Sequence, residues 1–82
     1  MHTKEEILSE LQTILSDLFE VDKASIVEDA KLYEDLDLDS IDAIDMIVQL
    51  QKMIGKTVKP EDFRSVRTVS DVVDVVHQLI QD

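Results

Sequence analysis

Residues 35–46 read Asp35-Leu36-Asp37-Leu38-Asp39-Ser40-Ile41-Asp42-Ala43-Ile44-Asp45-Met46, and the run continues without a break to Gly55. The spacing predicts a helix from Ser40 to Ile54 with Gly55 as its C-terminal cap. At ~100° per residue, Ala43, Met46, Ile47, Leu50, Met53 and Ile54 share one side, the core face. Ile41, Ile44 and Val48 fall opposite, among Asp42, Asp45, Gln49, Gln51 and Lys52. An ordinary amphipathic helix has no need of this second strip. On the residues alone it serves equally as a docking surface with an acidic rim or as packing under a neighbouring segment, and Ile44 lies nearest the core boundary. Ser40 stands where loop meets helix. Its commonest role there is an N-cap; the sharper one is a hydroxyl carrying a phosphate diester, which a helix N-terminus favours and the flanking carboxylates oppose.

Working outward, a first helix is predicted from Lys4 to Phe19. Thr3 and Glu6 have capping-box spacing. Ile7, Leu8, Leu11, Ile14, Leu15, Leu18 and Phe19 recur every three or four residues. The segment from Glu20 to Asp39 has no clean period. Val21, Ile26, Val27, Ala30, Leu32, Leu36 and Leu38 would tack it onto the core as an ordered loop with a short helical turn. A brief helix is expected over Val58–Arg64, started by Pro60, with Phe63 pointing inward. A last helix is expected from near Thr68 to near Ile80, facing inward with Val69, Val72, Val73, Val76, Leu79 and Ile80. The expected fold class is all-α: a four-helix bundle of three long helices and one short helix, with a long ordered loop between the first two. With Ile54 in its core, truncation to Ala should cost roughly 2–5 kcal/mol.

Eighty-two residues make one domain, residues 1–82, with a modest core and no room for a deep enclosed active site. Eight basic and nineteen acidic residues give a net charge of −11. That argues against nucleic acid, whose binding rests on Lys and Arg neutralising phosphates, and against docking on or insertion into anionic membranes. It favours partners with basic patches, and self-repulsion makes a monomer the expected state. The chain has no cysteine, so disulfides and thiolate chemistry are absent and a reducing compartment fits. No signal-peptide pattern opens the chain, and a cytoplasmic location is expected.

Enzyme readings find little support. His2 is terminal and expected to be disordered; His77 flanks the last helix as a surface residue; there is no Gly-rich phosphate loop. Asp35, Asp37 and Asp39 invite a calcium-loop reading, but such a loop starting at Asp35 needs Gly at position 40 and Glu at position 46, where Ser40 and Met46 stand. No metal site is expected beyond weak divalent binding to the carboxylates.

Asp39-Ser40-Ile41 followed by an acidic and apolar helix resembles the phosphopantetheine attachment motif of the acyl carrier protein family, in which Asp-Ser-Leu is the usual form. The likeness covers nearly the whole chain: the helix from Lys4, Val27-Glu28-Asp29 in the loop, Leu36 before the motif, Val58-Lys59-Pro60-Glu61-Asp62-Phe63, and the closing Thr68-Val69-Ser70-Asp71 helix come in the family's order. The resemblance implies 4′-phosphopantetheine, taken from coenzyme A by a phosphopantetheinyl transferase and esterified to Ser40, with an acyl chain held as a thioester on its thiol. It implies an acyl pocket near Ile47, Leu50 and Phe63. It also implies docking of partner enzymes with basic patches (acyl-loading enzymes, ketosynthases, reductases, acyltransferases) on Asp39, Ile41, Asp42, Ile44, Asp45 and Val48. Asp37 stands where most members have Gly, a residue that marks unusual backbone angles, and Ile41 replaces Leu. Gln49, Gln51 and Lys52 stand where fatty-acid members stay acidic, so specialised polyketide or aryl polyene pathways join fatty-acid synthesis as candidates. Two alternatives remain: a non-catalytic acidic helical adaptor for basic partners, and a carrier of aminoacyl or D-alanyl groups.

Overall fold

Three α-helices carry the fold: α1 (Lys4–Phe19), α2 (Ser40–Ile54) and α3 (Val69–Ile80). The structure is a computed structural model and describes residues 3–80; the expectation for His2 lies outside the described residues. No strand occurs among them, only an isolated bridge between Lys31 and Thr68.

Each helix begins with a reciprocal cap. Thr3 and Glu6 form the expected capping box on α1. Asp39 and Asp42 do the same for α2. On α3, Thr68 Oγ1 accepts from the Asp71 amide at 3.2 Å, and Asp71 Oδ2 accepts from the Thr68 amide at 3.1 Å and the Arg67 amide at 2.9 Å. These bonds satisfy amides that no helical turn can reach. The bonds to the Arg67 and Thr68 amides hold the Asp71 carboxyl below its ordinary range. Gly55 ends α2 in the left-handed conformation at φ 70°, its N–H donating to the Gln51 carbonyl at 2.9 Å. α1 ends at Glu20, also left-handed at φ 56° but without glycine's freedom.

The core is mainly aliphatic, with Phe63 its one buried aromatic among the described residues. α1 packs against both other helices, burying Ile7, Leu11 and Leu15 against Met46, Ile47 and Leu50 of α2 and Val69, Val72, Val73 and Val76 of α3. Two apolar residues expected inside lie largely outside: Leu18 is 38% exposed and Val27 51%. Leu18 falls at the edge of the α1 face, in the last turn. Ile54 is half-buried at the margin of the core, so its truncation costs less than that of a fully buried residue.

Residues 20–39 contain one 3₁₀ turn, Lys23–Ser25. Ile26, Ala30, Leu32, Leu36 and Leu38 are buried. Gln12 Nε2 donates to the Ile26 carbonyl at 2.8 Å. Leu32 donates to the Arg67 carbonyl and accepts from the Leu38 amide, while Val69 and Ser70 donate to the Ala30 and Glu28 carbonyls. These bonds account for a long segment with no regular period: its polar backbone is paired with the start of α3 and with itself. The stretch expected as a short helix holds a single 3₁₀ turn, Pro60–Phe63. Arg64 donates to Glu61 and Val66 to Phe63, both three residues back. Phe63 is buried at the end of this turn, and Val66 is buried just after it.

Candidate functional site

The backbone approaching α2 is anchored by Leu36 and Leu38, 6% and 5% exposed. Between them Asp37 takes φ 56°, the left-handed region. The two leucines on either side of it both enter the core. Asp is among the non-glycine residues that tolerate the left-handed region best. Asp37, at the position where Gly is usual in the family that the motif resembles, thus has Gly-like geometry.

Ser40 is the first residue of α2, and the N-cap is Asp39. The Asp42 amide donates to Asp39 Oδ1 at 2.9 Å, and the Asp39 amide donates to Asp42 Oδ2 at 3.2 Å. Capping, the commonest task for a serine at a helix start, therefore falls to its neighbour. Ser40 is exposed, and among the described residues its hydroxyl has no hydrogen-bond partner. The signal for this arrangement was present in the sequence as acidic residues three apart before an apolar run. It reads less plainly than Thr3 and Glu6, because Asp serves as both cap and reciprocal partner.

The strip beside Ser40 stays open. Ile41 is 70% exposed, Ile44 52% and Val48 39%. No loop covers it, and the expected order is reversed: Val48, not Ile44, lies nearest the core. Asp39 and Asp45 are exposed and Asp42 is half-buried. The three acids are therefore unequal. Asp39 and Asp42 hold the helix start together, whereas the Asp45 carboxylate has no hydrogen bond or ion pair among the described residues.

Met46, Ile47 and Leu50 face the core, at 1%, 5% and 0% exposure, and Phe63 joins them at 9%. Ile47, Leu50 and Phe63 thus belong to one buried cluster. The open groove between α1 and α2 is lined instead by Ser9, Glu10, Thr13, Ile14, Gln49, Lys52 and Met53. Asp35, a candidate in the calcium-loop reading, accepts the Lys31 amide at 2.9 Å. Among the described residues no three His, Cys, Asp or Glu side chains are grouped to hold a metal, and no helix is long and apolar enough to cross a membrane. His77 is half-buried in the last turn of α3.

Residues 9–76 match the phosphopantetheine attachment site family. Acyl carrier protein 2 of Ralstonia nicotianae is 47% identical over 78 residues, covering 95% of this chain and 96% of the relative. The acyl carrier protein of Lactobacillus acidophilus is 36% identical, covering 90% and 92%. A solved structure of the acyl carrier protein from Enterococcus faecalis superposes with a TM-score of 0.75 at 26% identity, covering 94% of this chain and 98% of that one. The chain belongs to the acyl carrier protein family. It is accordingly a carrier and not a catalyst, and its cofactor is 4′-phosphopantetheine, whose thiol holds acyl groups as thioesters. A phosphodiester requires an accessible hydroxyl, and the exposed, unpartnered hydroxyl at the start of α2 fits that requirement.

Proposed function

We propose that Ser40 carries the phosphopantetheine arm and that the exposed face of α2 presents the acyl group to partner enzymes. The observation that carries this reading is the division of labour at the helix start. Asp39 caps α2, so the Ser40 hydroxyl is left exposed beside Ile41. In this reading a phosphopantetheinyl transferase delivers the arm from coenzyme A to Ser40. Asp39, Asp42 and Asp45 set the charge of the docking face, and Ile41, Ile44 and Val48 provide its apolar contact.

The partners are enzymes with basic patches. Ile47, Leu50 and Phe63 border the space an acyl chain enters; since they are closely packed, entry requires the helices to part. The Pro60–Phe63 turn serves as the bundle's fourth, short member, and residues 20–39 as its long ordered loop. Residues 1–82 act as one carrier domain, monomeric and cytoplasmic. The cargo is an acyl intermediate of fatty-acid or specialised polyketide or polyene biosynthesis. Gln49, Gln51 and Lys52, which end the acidic character of α2, favour a dedicated system.

Intact-mass spectrometry tests the central claim. The chain is incubated with coenzyme A, magnesium and a broad-specificity phosphopantetheinyl transferase. The wild type should gain one phosphopantetheine mass and Ser40→Ala none. A folded wild type that gains nothing would remove Ser40 from the reading.

A further inference from the structure

The exposed face of α2 changes sign along its length. Ile41, Ile44 and Val48 are spaced three and four residues apart, and Lys52, four residues after Val48, continues the same row. Asp39 and Asp45 flank the N-terminal part of this row. Its C-terminal end is a cation. Lys52 is exposed, and among the described residues its ammonium has no ion-pair partner. The next lysine, Lys56, is turned away, its Nζ donating to the Leu79 carbonyl at 2.9 Å. At ~1.5 Å rise per residue, Lys52 stands about 10 Å beyond Asp45 along the helix. The α2 dipole favours acids at the start and a cation at the end, but it acts at any angle around the helix. It does not require the cation to fall in the row of exposed apolar side chains.

We infer that α2 is a bipolar docking surface for an enzyme face that carries a basic group opposite Asp45, aliphatic contact in the middle, and a carboxylate about 10 Å further on, opposite Lys52. The inference rests on the docking reading above and specifies the partner's chemistry. A uniformly basic face would meet Lys52 with like charge, which costs affinity where the partner's charge is held close. Such a charge pattern also sets direction: a partner bound in the reverse sense places like charges together at both ends, so the arm at Ser40 is aimed one way.

The test uses the full chain and two stapled helical peptides with the same apolar face. One has Arg at one end and Glu about 10 Å away, matching the α2 pattern; the other has Arg at both positions. Affinities are read by fluorescence anisotropy at low ionic strength, with Lys52→Glu as the reversing variant. Lys59→Glu is the control of equal net charge: Lys59 is exposed and lies outside α2. The bipolar peptide should bind the wild type about threefold or more tightly than the all-basic one, the scale of one or two exposed charge pairs. Lys52→Glu should invert that preference and Lys59→Glu should leave it. Equal or tighter binding of the all-basic peptide to the wild type, a preference that survives Lys52→Glu, or binding of neither peptide overturns the inference. Phosphopantetheinylation of Ser40, read separately by mass, distinguishes such a failure from failure of the carrier assignment.

Discussion

α2 and α3 are built from similar residues and used differently. The valines expected on the inner face of α3, Val69, Val72, Val73 and Val76, are buried, and its outward positions include Asp74 and Gln78. α2 buries Met46, Ile47 and Leu50 and yet leaves Ile41, Ile44 and Val48 in solvent. An apolar side chain held in water contributes nothing to the core it does not touch. The outer face of α2 therefore carries a row of apolar side chains that the core does not need, and the unpartnered hydroxyl of Ser40 stands at its head.

The comparison is broken most sharply by truncating each face in turn. Leu50→Ala should lower unfolding free energy by about 2–5 kcal/mol, a large share of a small domain's stability. Ile44→Ala should change it by no more than about 0.5 kcal/mol. Urea denaturation checks both; a large loss at Ile44 would mean that this face is covered after all. Ile54→Ala should fall between the two, since its side chain is half-buried.

The acids of α2 divide in the same manner. Asp42→Ala removes the reciprocal half of the capping box and should cost about 0.5–1.5 kcal/mol, the net worth of one hydrogen bond, besides altering transferase loading. Asp45→Lys should slow loading at low salt while leaving the denaturation midpoint nearly unchanged. Read from the sequence, both acids looked like docking residues alone. The bonds between Asp39 and Asp42 show that a loading defect at Asp42 mixes lost charge with a loosened helix start.

Backbone strain gives a smaller effect of opposite sign. Asp37 and Glu20 are held at φ 56°, so Asp37→Gly and Glu20→Gly should each stabilise the chain by about 0.5–1 kcal/mol, the left-handed penalty less glycine's entropy. Glu20→Gly also removes a negative charge from the C-terminal end of the α1 dipole. Both are checked by thermal denaturation.

The cap of α3 should show itself at low pH. Because the folded Asp71 carboxyl titrates below its ordinary value of 3.8, its stabilisation is present above that value and is lost as pH falls through the depressed one. Asp71→Asn should flatten this acid limb of the stability profile, measured by urea denaturation at stepped pH. An unchanged limb would show that other carboxylates dominate it.

Much of this molecule was legible because it is local. The periods of three and four residues specify α1, α2 and the inner face of α3. Thr3 with Glu6 marks the first cap, and Asp39-Ser40-Ile41 marks the candidate site, each within one or two turns of chain. The acidic balance that points to basic partners is a sum over residues and needs no fold. What required the folded chain depends on residues distant in sequence. Asp37 takes the left-handed region between two buried leucines, a backbone turn that its own identity does not announce. The start of α3 pairs with residues 28–32 and turns an aperiodic segment into defined structure. Whether Ile44 or Val48 lies nearer the core depends on how the other elements pack against α2, a matter of shape between elements that no spacing along one helix contains.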